Sequence, residues 1–168
     1  MQSLKKIFIH ITMVLVFLFG FTTTVMAEEH YRTTMIKSQA KSGDVYGQFN
    51  LGLLYYYGDS DVGLDYRKAR EWFLKSAKQG DDSAQIYLGL MYEEGKGVRQ
   101  DYTKATEYYL KAAKQNNSEA QMFLGKMYEE GKGVRQSKSQ SKEWFGKACD
   151  NGEQKGCDAY SRLNIKSK

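Results

Sequence analysis

A ten-residue segment that occurs twice without change constrains this chain more than any other feature. MYEEGKGVRQ occupies residues 91–100 and again residues 127–136, an offset of 36 residues. The same offset relates Trp72 to Tyr108 and then to Trp144, and an earlier copy has one additional residue in its turn. A period of this length is typical of repeat proteins, in which each unit buries its apolar face only against its neighbours. We therefore expect three stacked copies and not one conventional core.

Each copy has the pattern of two amphipathic helices. In the second copy, apolar residues fall on one face of each helix at the 3.6-residue period: Ala84, Leu88, Met91 and Tyr92, then Ala105, Tyr108, Tyr109, Ala112 and Ala113. Gly95 and Gly97 are predicted to end the first helix, because glycine accepts the left-handed conformation of a helix stop. Asp101 is predicted to cap the second helix. Gly89 is expected to let neighbouring backbones approach, and Trp72, Tyr108 and Trp144 are expected in the core.

These motifs resemble a known repeat. LG-x-MY-x-EG-x-G-V at Leu88–Val98, with DYTKATEYYLKAAKQ at Asp101–Gln115, is similar to the Sel1-like repeat, a relative of the tetratricopeptide repeat. The resemblance implies an all-α fold: an α/α solenoid, a right-handed superhelix of antiparallel helix pairs, with three full repeats and terminal half-repeats. It also implies a protein-protein interaction adaptor. The expected segments are a signal peptide at 1–27, an N-terminal half-repeat at 28–43, repeats at 44–80, 81–116 and 117–152, and a C-terminal capping helix and tail at 153–168.

The first residues have the pattern of a secretory signal. Lys5 and Lys6 precede the apolar run Ile7–Phe21, which is short for a membrane span, and Ala27 ends a segment suited to signal peptidase. We expect cleavage after Ala27 and a periplasmic or secreted bacterial protein; an uncleaved N-terminal anchor is the alternative. Without this segment 23 basic and 20 acidic residues remain. This small excess of basic residues does not indicate a nucleic-acid partner, and we expect none. We also expect no stable membrane insertion after cleavage.

Two cysteines, Cys149 and Cys157, are the whole cysteine content. In an exported chain, an oxidising compartment favours a disulfide between them. KACDNGEQKGC at Lys147–Cys157 also resembles the cysteine-rich secreted members of the repeat family, and this resemblance implies that cysteines eight apart join consecutive helices. Such a bridge would contribute about 2 to 3 kcal/mol by loop-closure entropy.

The sequence offers little for catalysis. His30 is the only histidine after residue 27, so acid-base chemistry or a zinc site lacks its usual residues. Ser139 to Lys142 matches Ser-x-x-Lys but lacks the accompanying β-lactamase motifs. We expect no enzyme, no cofactor and no metal site. Three functions stay open: an adaptor, an immunity protein that neutralises a toxin delivered to the periplasm, such as a phospholipase-type effector, and a β-lactamase-like or cell-wall-ligand-binding protein.

Stacked helix pairs leave a concave face that the first helix of each repeat lines. By analogy with tetratricopeptide repeats, the positions flanking each Leu-Gly pair are predicted to bind a protein segment: Tyr46, Phe49, Leu53, Tyr56, Ile86, Leu90, Glu93, Met122, Lys126 and Glu129. This groove would change from aromatic to acidic along the chain, so we expect an apolar anchor at the first repeat and basic partner residues opposite Glu93 and Glu129. The alternative is that these positions only thicken the core.

Overall fold

The chain folds into helices connected by short turns. A computed structural model describes residues 28–165 apart from residues 29 and 60, so the predicted signal peptide lies outside the described residues. The described residues contain no strand and form eight helices: α1 at residues 30–42, α2 Val45–Tyr57, α3 Tyr66–Lys78, α4 Asp82–Glu94, α5 Tyr102–Ala113, α6 Ser118–Glu130, α7 Lys138–Asp150 and α8 Gln154–Ile165. The predicted all-α repeat solenoid is confirmed.

The helices pack in sequence order. The most extensive contacts join α2 to α3, α4 to α5, and α6 to α7, and each pair then packs against the next pair along the chain. Helix α8 packs against α7 and, to a smaller extent, against α6. Because each pair relies on its sequence neighbours for burial, the core is continuous along the stack and has no single centre.

One contact recurs inside every repeat, and we call it the ring–glycine contact. A fully buried aromatic ring of the second helix lies against a glycine of the first helix: Phe73 on Gly52, Tyr109 on Gly89, and Phe145 on Gly125. A Cβ atom at any of these glycines would overlap the ring. The glycines therefore leave space for a side chain, and the expectation that Gly89 lets backbones approach is wrong.

The ring–glycine contact also corrects the predicted aromatic core. Trp72, Tyr108 and Trp144 precede the buried rings by one residue and are only half-buried. The ammonium groups of Lys75 and Lys147 lie 3.7 and 4.3 Å from the ring centroids of Trp72 and Trp144. These indoles pack at the edge of the solenoid, where a cation can reach them.

The turn within the repeated segment connects the two helices of one repeat and packs against the preceding repeat. Gly95 ends α4 in the left-handed conformation, with φ 72° and ψ 24°, and Asp101 caps α5 by accepting a hydrogen bond from the Lys104 N–H at 3.0 Å, as predicted. Gly97 lies against the backbone of Tyr66 in the preceding repeat. Gly133 lies in the same way against the backbone of Tyr102 in the second repeat. Because both turns pack on the repeat before them, the segment that forms them recurs unchanged for a structural reason.

The last two helices are covalently joined. Cys149 of α7 and Cys157 of α8 form a disulfide with a Cα–Cα distance of 4.5 Å, which confirms the predicted pairing. Gly156 lies beside it against Ala148, so α8 approaches α7 closely at this point. The bridge fastens a terminal helix that has a neighbour on one side only.

Candidate functional site

Three of the ten predicted groove residues are buried. Ile86 is 3% exposed, Met122 6% and Tyr56 7%. Ile86 and Met122 fill the space between helices, where Met122 packs with Phe145 and Ala148. The prediction that these three side chains line an open surface is wrong, and for Ile86 and Met122 the alternative of a thicker core holds.

The predicted apolar residues beside them are partly buried. Phe49 makes an edge-on contact with Tyr87 at a centroid distance of 5.7 Å and a tilted contact with Phe73 at 5.8 Å. Leu53 and Leu90 pack against the cores of the first and second repeats. These residues form the floor of a surface, and a charge introduced at either leucine would disturb folding as well as binding.

The two predicted acidic recognition residues are engaged within the chain. The Tyr109 hydroxyl donates to Glu93 Oε2 at 2.7 Å, and Arg162 of α8 donates to Glu129 Oε2 at 2.7 Å. Burial raises the pKa of Tyr109, and the hydrogen bond to Glu93 raises it further. The expectation of basic partner residues opposite these two carboxylates is therefore not supported by their surroundings, because each already has an internal donor.

A different set of side chains lies on the outside of the first helices. Spacings of four, three and four residues place them on one helical face. We call it the first-helix face, and it consists of Tyr46, Asn50, Leu53 and Tyr57 in α2, Ser83, Tyr87, Leu90 and Glu94 in α4, and Glu119, Phe123, Lys126 and Glu130 in α6. Four predicted residues belong to it: Tyr46, Leu53, Leu90 and Lys126.

Sequence reasoning missed the position held by Asn50, Tyr87 and Phe123. Tyr87 shares a hydrogen bond with the Tyr57 hydroxyl at 3.0 Å, and Phe123 stacks on Tyr109 at a centroid distance of 4.8 Å. Burial raises the pKa of Tyr87, and the hydrogen bond with Tyr57 adds to the effect. The recurrence of large aromatic residues one position after Ile86 and Met122 was the available signal.

The first-helix face is aromatic at one end and charged at the other. Tyr46 is 74% exposed and lines a cavity of about 570 Å³, together with Phe49 and Asn50 of α2 and the turn of residues 79–83. At the other end Glu119 is exposed and makes no ion pair with any described residue, and its charge acts on Tyr87 and Tyr109. The geometry offers a partly apolar seat, whose lining also includes Asp81 and Asp82, and at the other end a carboxylate available for pairing.

The residues considered for chemistry are not assembled into a catalytic centre. Ser139 Oγ is hydrogen-bonded to Ser137 Oγ at 3.1 Å, while the Lys142 ammonium lies 5.5 Å from the ring centroid of Tyr160. His30 Nδ1 lies 2.9 Å from Asp61 Oδ2 on the surface. Within residues 28–165, as far as they are described, no cluster of three histidine, cysteine or acidic residues could hold a metal ion.

None of the described helices combines the length and the apolar character needed to cross a bilayer.

Two solved structures resemble this chain in both sequence and fold. A Sel1 repeat protein from Oxalobacter formigenes is 36% identical with a TM-score of 0.69, over 77% of this chain and 96% of that one. A protective antigen present in uropathogenic Escherichia coli strains, which displays an SLR fold, is 34% identical with a TM-score of 0.70, over 73% of this chain and 26% of the antigen.

A curated relative is much longer. The ERAD-associated E3 ubiquitin-protein ligase component HRD3A of Arabidopsis thaliana is 35% identical over 70 residues, which is 42% of this chain and 10% of the relative. The chain thus spans about a tenth of that relative's length. The sequence model of the Sel1 repeat matches residues 45–81, 82–117 and 118–153, which correspond to the helix pairs α2–α3, α4–α5 and α6–α7. The chain therefore belongs to the Sel1 repeat family.

Proposed function

We propose that this chain is an exported adaptor that binds a segment of another protein on its first-helix face. Sel1 repeats generally serve as protein-interaction modules. The observation that carries the proposal is the exposed Tyr46 beside a cavity of about 570 Å³. A large aromatic side chain next to a concavity is typical of the centre of a protein interface.

The charge at the far end of the face supports a direction for the partner segment. Glu119 is exposed and has no ion-pair partner within the described structure, whereas Glu94 and Glu130 are already paired with Lys96 and Lys132 at 2.7 Å. A lysine or arginine of the partner would pair with Glu119 while an apolar residue occupies the cavity near Tyr46. The segment would therefore carry an apolar residue at one end and a basic residue at the other.

Export is supported by the disulfide. The Cys149–Cys157 bond joins two helices of a chain with no free cysteine among its described residues, and such bonds persist mainly in oxidising compartments. The expected location is the periplasm or the outside of the cell. Cell fractionation, with mass measurement of the purified chain, tests this: a chain that retains residues 1–27 and remains in the reducing cytoplasm would contradict export.

The binding proposal is tested with exposed residues, which spare the core. The double variant Tyr46→Ser with Glu119→Lys removes the anchor and reverses the charge. Its matched control, Tyr31→Ser with Glu107→Lys, changes an exposed tyrosine and an exposed glutamate on α1 and α5. Tagged chains are cross-linked in the cells that express them, and the captured proteins are identified by mass spectrometry.

A protein captured by the wild-type chain and by the control, but lost from the double variant, would support the first-helix face. Circular dichroism must show that both variants keep the wild-type helical signal. Equal capture of the same protein by all three chains would refute the proposed face, because the apolar seat and the carboxylate would then have no part in binding.

A further inference from the structure

A second concavity lies away from the first-helix face. It has a volume of about 640 Å³ and lies between α3 and α5, beside the turn that precedes α5. Its charged lining consists of Arg70, Arg99 and Lys104 with a single carboxylate, Asp101. We call it the basic niche. Arg70 and Lys104 come from second helices and Arg99 from a turn, so it does not share these residues with the proposed protein-binding face.

The basic groups of the niche are poorly compensated from within the chain. Asp101 accepts the capping hydrogen bond from the Lys104 N–H at 3.0 Å, and its other oxygen lies 3.8 Å from Lys104 Nζ. Arg70 and Arg99 form no ion pair with any described residue, and Arg70 Nε is buried without a hydrogen-bond acceptor. A guanidinium group that lines a concavity without a carboxylate partner can pair with a bound anion, which would supply the missing negative charge.

The same concavity exists one repeat earlier, with a different charge. There a cavity of about 340 Å³ is lined by Lys37 and Lys68 together with Asp61 and Asp65, so its charges balance. The niche is thus a recurring shape of the stacked repeats. Only its side chains give the later one an excess of two positive charges.

The repeat that follows keeps one of the three basic groups. Thr106 stands 36 residues after Arg70, and its hydroxyl donates to the Tyr102 carbonyl at 2.9 Å. Gln140 stands 36 residues after Lys104, while Arg135 repeats Arg99. Among the described repeats, the full basic set therefore occurs once. The recurring turn alone does not account for the excess charge, because Arg70 and Lys104 lie outside the repeated segment.

We propose that the basic niche binds the phosphate group of a small phosphate monoester. A dianion matches the excess of two positive charges, and guanidinium groups bind phosphate oxygens through paired hydrogen bonds. The niche is open to solvent and larger than a phosphate ion, so the remainder of the molecule would lie at its mouth. The inference does not depend on the protein-binding proposal.

The test is a titration of the purified, disulfide-bonded chain followed by amide NMR. Inorganic phosphate and glycerol phosphate are added separately, with sodium chloride adjusted to hold the ionic strength constant, since salt screens such contacts. We expect saturable shifts of the Val98 and Arg99 amide signals. Arg70→Gln should weaken binding by about tenfold or more, because a hydrogen bond between charged groups is lost.

Two variants guard against misfolding and against general charge effects. Arg99→Gln changes an exposed residue that contributes no described ion pair, and it should also weaken binding while the helical signal is unchanged. Arg135→Gln is the matched control, because it makes the same change in the same turn of the next repeat. It should bind phosphate as tightly as the wild-type chain.

Several outcomes would overturn the phosphate site. These are an absence of saturable shifts, equal binding by the folded Arg70→Gln and Arg99→Gln chains, and equal weakening by Arg135→Gln. Acetate binding as tight as that of phosphate would also overturn it, because a single charge would then suffice. Vesicles containing phosphatidic acid separate the sources: tighter binding to them than to glycerol phosphate, abolished by Arg70→Gln, would support the phosphate chemistry with a lipid as its carrier.

Discussion

The ring–glycine contact makes a quantitative prediction at Gly125. A Cβ there would overlap the ring of Phe145, which is 1% exposed and cannot move into solvent. Forcing an extra carbon into a packed core costs about 1 to 3 kcal/mol, and a ring in direct overlap belongs in the upper half of that range. The higher helix propensity of alanine than of glycine offsets about 1 kcal/mol of this cost. Gly125→Ala should therefore lower the free energy of unfolding by about 1 to 2 kcal/mol.

Gly146 supplies a matched control for this substitution. It also lies in a helix interior, but its nearest neighbours are two ring carbons of the partly exposed Tyr160 at 3.3 and 3.4 Å. Gly146→Ala should leave stability unchanged or raise it by up to about 1 kcal/mol. Urea unfolding followed by circular dichroism measures both variants, since the slope should stay constant while the midpoint moves.

A rescue experiment separates ring overlap from other effects of the added methyl group. Phe145→Leu removes the ring and is destabilising alone, but in that background Gly125→Ala has space for its Cβ. The double variant should lose less stability than the sum of the single variants, with a coupling of about 1 kcal/mol. Additive losses, or equal midpoints for Gly125→Ala and Gly146→Ala, would refute the contact as the reason for the glycine.

Three further predictions follow from the described contacts. Reducing the Cys149–Cys157 bond should lower the free energy of unfolding by about 2 to 3 kcal/mol, and α8 should lose hydrogen-exchange protection first; unchanged protection in α8 would contradict this. The pKa of Tyr109 is raised, so its contribution to stability is complete below pH about 10 and is lost as the pH rises through the folded pKa. In a titration to high pH, the phenolate absorbance should therefore rise in a step that coincides with unfolding, and Tyr109→Phe should reduce that step. Asp101→Ala should cost about 1 kcal/mol in thermal unfolding, whereas Asp101→Asn should not, and equal losses would argue against the cap.

The repeat, its turns and its cap could be predicted from sequence because they act locally. Gly95 ends a helix through its own left-handed backbone conformation, and Asp101 caps the next helix through its own side chain. Neither property depends on how the helices pack. The offset of 36 residues then placed the same elements in the other copies, so the helix pairs followed from the pattern.

The free face of the first helices could be predicted only in part, because it depends on how the helices pack. A first helix packs against its own second helix and against the neighbouring repeat, so apolar residues surround most of it. Ile86 and Tyr87 are both large and apolar in part, and they differ by one position, which is a rotation of about 100° around the helix. Only the packing decides that Ile86 faces inward and Tyr87 reaches the surface.

Differences between the copies indicate where specific binding is encoded once the buried positions are set aside. The ring–glycine contact recurs in every full repeat, so its residues are required by the fold. At other positions the copies diverge: Tyr57 becomes Glu94, and Lys104 becomes Gln140. Divergence at exposed or half-buried positions is not needed for stacking, since each copy packs in the same way. The stacking of the repeats therefore does not require the aromatic-to-acidic change along the first-helix face or the charge of the basic niche, and these are the places where we expect a partner or ligand of this chain to be recognised.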